Sequence, residues 1–162
     1  MENVKAMTTM YGGQFKDYVI QKFSDLGYDV SYVVLNAAEY GVPQNRERVF
    51  FFGTKENKSF SFPKKTHGEE KGMSPFETVD DWIMDIAGKE NAIPNHIPLN
   101  HSETVTRRYE LIPEGGKLPS PEKLPKEIRR SNFGNTYKRL DRKKPSPTLV
   151  PGNNAFPVHP IL

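Results

Sequence analysis

The 162-residue sequence contains no cysteine. That excludes disulfides, a cysteine-ligated zinc site and a thiol nucleophile supplied by this chain. No run approaches the roughly 20 apolar residues needed to span a bilayer, and no signal-peptide pattern opens the chain. Four scattered histidines, with no His-x-x-x-His or paired-carboxylate spacing, give no expectation of a metal. Hydrophobic residues make up only 35% of the chain, so a core is possible but a small one. Net charge is just +3, which by itself points weakly to any partner.

What is present is unevenly distributed. Residues 129–144, RRSNFGNTYKRLDRKK, concentrate basic side chains and hold a single acid, Asp141. Such a stretch is either a solvated basic loop or a phosphate-contacting strip, because Asn132, Phe133, Asn135 and Tyr137 interleave the charges. Fourteen prolines and twelve glycines imply long loops. Phe15, Tyr18, Val19, Phe23 and Leu26 recur at helical spacing and Gly27 follows as a terminator, predicting a helix over 14–26. YDVSYVVLN (28–36) predicts a strand. Residues 47–54 predict a second, whose continuous apolar centre Val49-Phe50-Phe51-Phe52 implies burial on both faces. A connector of that length allows reversal but no crossover helix, so the two strands should pair antiparallel.

From about Lys55 the composition turns polar. Ser74-Pro75-Phe76-Glu77 has the form of a capping box with proline at the first helical position, predicting a helix over 75–87. Phe76, Val79, Ile83 and Ile86 form its apolar face, with Trp82 packing near it and Gly88 ending it. Prolines beyond Gly88 exclude long regular elements. Gly115-Gly116 is either a tight turn near a ligand or an ordinary loop pair. The closing KPSPTLVPGNNAFPVHPIL reads as extended.

Three of these stretches, in this order, resemble motifs of the C5-cytosine-specific DNA methyltransferases. Glu2-Asn3-Val4 is similar to that family's Glu-Asn-Val. Gln44-Asn45-Arg46-Glu47-Arg48, followed by a hydrophobic strand, is similar to its Gln-x-Arg-x-Arg. Arg139-Leu140, Pro145-Ser146-Pro147-Thr148 and His159-Pro160 are similar to the motif that closes its variable target-recognition region. The resemblance implies a partial Rossmann-like, S-adenosylmethionine-dependent α/β sheet, namely a helix with an antiparallel strand pair. A mostly irregular α+β recognition lobe should follow. Residues 1–54 would be catalytic-domain remnant, 55–138 the target-recognition region and 139–162 the closing motif and return.

It also implies roles. In this family a cysteine thiolate adds to C6 of a cytosine flipped out of duplex DNA, loading charge onto N3 and O2 of the ring. Glu2 would meet N3 and the exocyclic amine, Arg48 would meet O2, and Arg46 would brace the pocket. A closed pocket raising the pKa of Glu2 is expected with that role. The bland alternative is that Arg46 and Arg48 pair with Glu39 and Glu47 on a strand edge. Candidate DNA contacts are Arg107, Arg108, Arg129, Arg130 and Asn132 for bases, with Lys138, Arg139 and Lys143 for the backbone.

The family's Phe-x-Gly-x-Gly cofactor loop and Pro-Cys nucleophile dipeptide do not occur in this sequence. S-adenosyl-L-methionine is therefore expected to bind the whole enzyme rather than this chain, and no metal is expected. Glu2, beside a free amino terminus, should be mobile. The reading is a methyltransferase piece, inactive alone, acting on double-stranded DNA with a front half supplied in cis or as a separate subunit. A cut sheet exposes a face and an edge, through which self-association is expected. The alternatives are a stand-alone DNA-binding module or the second subunit of a split enzyme. A third is an interaction domain with coincidental motifs. A bacterial or phage restriction-modification setting, in the cytoplasm and without membrane attachment, is expected because the long extensions of nuclear relatives are missing.

Overall fold

The computed structural model describes residues 1–55, 60–89, 92–97, 100–130 and 137–149. Two compact units divide the chain, Met1–Phe76 and Glu77–Leu162. The chain is mixed α/β, with a small antiparallel sheet and few helices.

In the first unit, α1 spans Gln14–Asp25 and ends in a Schellman motif. Gly27 takes φ 81°. Its amide donates to the Ser24 carbonyl at 2.9 Å, and the Tyr28 amide donates to the Phe23 carbonyl at 3.1 Å. The hydrophobic contact that accompanies such caps is the edge-on pair of Phe23 and Tyr28, 6.0 Å between centroids. This turn feeds directly into β2, Asp29–Asn36. The helix packs its Val19 and Ile20 side, while Phe15, Tyr18 and Leu26 are substantially exposed. The buried stripe is therefore rotated from the one the aromatic spacing implied.

β3, Glu47–Thr54, is the centre strand. It pairs antiparallel with β2 along its whole length, as expected, from Asn36 opposite Glu47 to Asp29 opposite Thr54. Its other edge is taken by β1, Glu2–Val4, with Glu2 opposite Phe50 and Val4 opposite Arg48. The amino terminus is thus held rather than mobile: the Met1 ammonium donates to the Phe51 carbonyl and the Phe51 amide donates back to Met1, both at 2.8 Å.

Burial on both faces of β3 is not what forms. Val49 and Phe51 are buried with Met7, and the partly buried Val19, Ile20, Val30 and Val34 pack against them. Arg48, Phe50 and Phe52 face the other way, and both phenylalanines keep more than a third of their surface exposed. The pleat sends alternate residues to opposite sides, and among the described residues the buried cluster lies on one side only. Phe52 gains a stacked partner in Phe60, 3.6 Å between centroids.

The second unit is held by a core of Ile112, Leu118, Leu124, Ile128 and Tyr137, with Tyr109 packed against it. The helix predicted over 75–87 is shorter and starts later. α2 is Val79–Ile83, followed by a 3-10 turn at Met84–Ile86. Its capping box is Thr78 with Asp81, not Ser74 with Glu77. The amides of Val79 and Asp80 are satisfied by the carbonyls of Lys144 and Arg142, at 3.1 and 2.8 Å, which sets the start of the helix from outside it. Trp82 does not pack: it is 56% exposed, and its indole N–H donates to Glu77 Oε2 at 3.0 Å. α3, Glu103–Glu110, was not anticipated. Residues 150–162, including His159 and Pro160, lie outside the described residues.

Glu114 grips Arg142 in a fork, Nε to Oε1 at 2.8 Å and Nη2 to Oε2 at 2.9 Å. The Arg142 side chain, and then its backbone N–H, holds the Glu114 carboxyl below its ordinary value. A carboxyl so depressed stabilises fully above the usual glutamate range and loses that contribution as pH falls through its folded value. Glu114→Gln is expected to flatten the acid limb of thermal midpoint against pH; an unchanged limb would show that this exposed pair contributes nothing measurable. The sole tryptophan gives a second check. Acrylamide should quench native Trp82 nearly as well as it does in urea, and strong protection would contradict its placement.

Candidate functional site

Three side chains singled out in the sequence converge on one face of the sheet. Glu2 sits on β1 opposite Phe50, and Arg48 lies two residues back along β3. That diagonal is normally 7–8 Å across, within reach of two long side chains. Arg48 Nε lies 3.1 Å from Glu2 Oε1. One Arg48 Nη also donates to the Glu47 carbonyl at 2.7 Å, fixing the plane of the guanidinium. Glu2, Arg46 and Arg48 line a cleft of about 260 Å³ with Leu35, Ala37, Tyr40 and Phe50. Its walls are two guanidiniums, one carboxylate, a phenol and apolar side chains.

The alternative pairing does not occur. Glu39 binds Lys65, and Glu47 binds Lys5 at 2.7 Å. The closed surroundings expected for Glu2 are not formed by the described residues either: its side chain is 50% exposed, against 19% for Arg48.

The connector between β2 and β3 depends on Asn36, a residue the sequence reading passed over. Its Oδ1 accepts from the Ala38 amide at 3.3 Å and from the Arg46 amide at 2.9 Å. Its Nδ2 donates to Asn45 Oδ1 at 3.1 Å. Asn36 thereby caps the 3-10 turn Ala37–Tyr40 and ties the backbone of Arg46 to the end of β2. An asparagine closing a strand before Ala-Ala was the available signal. Residues 63–67 brace the same connector. Tyr40 donates to the Pro63 carbonyl at 3.0 Å, and the Glu39 carbonyl accepts from the amides of Thr66 and His67. Gly41 takes φ 82°, a left-handed conformation that favours glycine, and a Cβ there would stand 2.8 Å from His67 Cε1 and push that ring aside.

The expected DNA contacts divide into two groups. Arg108 donates to the Ile128 carbonyl at 2.7 Å, the Tyr137 hydroxyl at 3.1 Å and the Arg129 carbonyl at 3.4 Å. Arg129 donates to the carbonyls of Leu124 and Glu122. Arg139 donates to the Tyr109 carbonyl, and burial lowers its pKa. These three guanidiniums serve the lobe's own backbone, which lacks sheet partners for those carbonyls. Arg107, Arg130 and Lys143 are exposed, and Lys138 is half-buried in an extended pair with Lys117. Asn132, with Phe133 and Asn135, lies outside the described residues.

Residues 1–156 match the family model of C-5 cytosine-specific DNA methylases. Type II methyltransferase M.NgoFVII of Neisseria gonorrhoeae is 36% identical over 154 residues, covering 92% of this chain and 40% of that protein. M1.HphI of Haemophilus parahaemolyticus is 36% identical over 129 residues, 76% of this chain and 33% of that protein. A crystal structure described as a DNA modification methyltransferase encoded within an E. coli prophage shares the fold at TM-score 0.58 and 20% identity. That match covers 98% of this chain and 53% of the other. The chain spans half or less of the two curated relatives' length. Over the part it spans, the motif order and the family match lead to one conclusion: this chain belongs to the C-5 cytosine-specific DNA methylase family.

Proposed function

We propose that this chain supplies one wall of the cytosine pocket of a DNA (cytosine-5)-methyltransferase of restriction-modification type, together with its DNA-facing region. The observation carrying the reading is the cleft that holds Glu2, Arg46 and Arg48 together, with Glu2 and Arg48 already in contact across β1 and β3.

In this reading the base is flipped from the duplex and seated by its Watson–Crick edge. Arg48 directs N–H groups at O2, and Glu2 meets N3 and the exocyclic amine. When a thiolate adds to C6, negative charge grows on N3 and O2. The Arg48 guanidinium, oriented by the sheet, stabilises that charge at O2, and a proton carried by the Glu2 carboxyl is donated to N3. Arg46, tethered through Asn36, holds the cleft's mouth. The thiolate comes from elsewhere, since this chain has no cysteine. S-adenosyl-L-methionine supplies the methyl group when bound, but the cleft does not fit it. Two guanidiniums there would repel a sulfonium cation, and no Phe-x-Gly-x-Gly loop is present to hold the adenosyl group. Donor and nucleophile are therefore assigned to the companion half, in cis or as a second subunit. The exposed Arg107, Arg130 and Lys143 and the half-buried Lys138 are the remaining described candidates for DNA contact, within a target-recognition region at 55–138 and a closing segment at 139–162.

The chain alone, incubated with duplex DNA and labelled S-adenosylmethionine, should transfer no methyl groups; transfer above background would overturn the division of labour. Mixed with a polypeptide carrying the family's cofactor loop and Pro-Cys dipeptide, it should become active. In that mixture Arg48→Ala should lower kcat by about 10²-fold or more, with Arg48→Lys only partly effective because an ammonium lacks the planar fork. Wild-type turnover by Arg48→Ala would remove its assigned role. Asn36→Ala should cost about tenfold in kcat through misplacement of Arg46. If it instead changes only the thermal midpoint, Asn36 is merely structural.

A further inference from the structure

Gly115–Leu118 doubles back against Tyr137–Leu140 in the second unit. Gly115 takes φ 70°, and a Cβ on Gly116 would stand 2.6 Å from Pro113 Cγ, so the tight return needs both glycines. The Leu118 amide donates to the Tyr137 carbonyl and the Arg139 amide to the Gly116 carbonyl, each at 3.0 Å. These two bonds flank an antiparallel bridge in which Lys117 stands directly opposite Lys138. It is the non-hydrogen-bonded kind of pair, the one that brings side chains closest. Leu118 and Tyr137 point into the core, so the alternation of extended chain sends Lys117 and Lys138 outward together.

Two like charges facing each other across a bridge destabilise it. No carboxylate relieves them among the described residues of the cleft. Both line a space of about 270 Å³ beside Lys144 and Asp141. Asp141, its one acid, is engaged by Lys144 Nζ at 3.2 Å and by the Lys143 amide at 2.9 Å. The cleft therefore carries net positive charge, with the two lysines set opposite each other by the backbone bridge.

We propose that Lys117 and Lys138 form a two-ammonium seat for one phosphate group, supplied by a backbone phosphodiester of bound DNA. A phosphodiester presents two non-bridging anionic oxygens, one for each ammonium, and neutralises the repulsion that the turn imposes. The DNA source rests on the DNA-facing role proposed above; the seat itself rests on the bridge.

The test is salt-dependent binding of the full chain to a short duplex, followed by fluorescence anisotropy. Lys117→Gln and Lys138→Gln should each lower the slope of log K against log salt by about one. The double variant should lower it no further, because both lysines serve one phosphate. Lys123→Gln, on an exposed turn of the same unit, should leave the slope unchanged. Wild-type slopes in both single variants would overturn the seat while leaving DNA binding intact, and additive losses would show two separate contacts instead of one. If the wild-type chain binds no duplex even at low salt, its proposed DNA-facing role fails. Titration with inorganic phosphate, read by the amide NMR shifts of Lys117 and Lys138, then decides the seat. A saturable shift lost in Lys138→Gln supports a seat for free phosphate, and no shift overturns it.

Discussion

The register of the centre strand against its two neighbours is the constraint from which the site follows. Pairing Glu2 with Phe50 and Val4 with Arg48 puts the acid and the guanidinium on one diagonal of one face. A slip of one residue would turn Arg48 into the core beside Met7 and bring Val49 outward. The core forbids that slip, because Val49 is fully buried and Phe51 nearly so. Hydrophobic packing on one side of β3 thus fixes polar geometry on the other.

That arrangement also separates stiffness from exposure. The cleft residues stand on strands rather than on a free loop, and the loop that does contribute is tied down at both ends. Asn36 satisfies two backbone amides, and Tyr40 reaches the Pro63 carbonyl. Such bonds cost little in water-exposed positions yet restrict where Arg46 can go. A polar group placed this way can meet developing charge without first rearranging. Gly41 belongs to the same device, since its left-handed backbone turn favours a residue without a side chain.

The second unit solves a different problem. With short helices and few ladders, its irregular backbone leaves carbonyls that need donors, and three arginines supply them. A guanidinium carries five N–H groups in a plane, so one side chain can join several loop segments. Lysine, a single-point cation, is left to the surface. Charge that looks uniform along 129–144 therefore separates into arginines that tie the lobe's own backbone, Arg129 and Arg139, and a remainder dominated by lysine.

Much of this was legible from the residues alone. The α1 boundaries, the antiparallel pair and the family were encoded by local signals: helical spacing before Gly27, β-branched runs, and three ordered motifs. Local signals suffice where short-range sterics and hydrogen bonding decide. Placement across the chain was not legible. That Glu2 joins β3 as an edge strand, that Phe50 and Phe52 lie on the face opposite the buried cluster, and that Thr78 rather than Ser74 caps α2 all depend on partners distant in sequence. Arg108 and Arg130 are the same residue type to a reader of sequence. Only the folded chain, by bringing the carbonyls of Ile128 and Arg129 to one and not the other, decided which would be held inside.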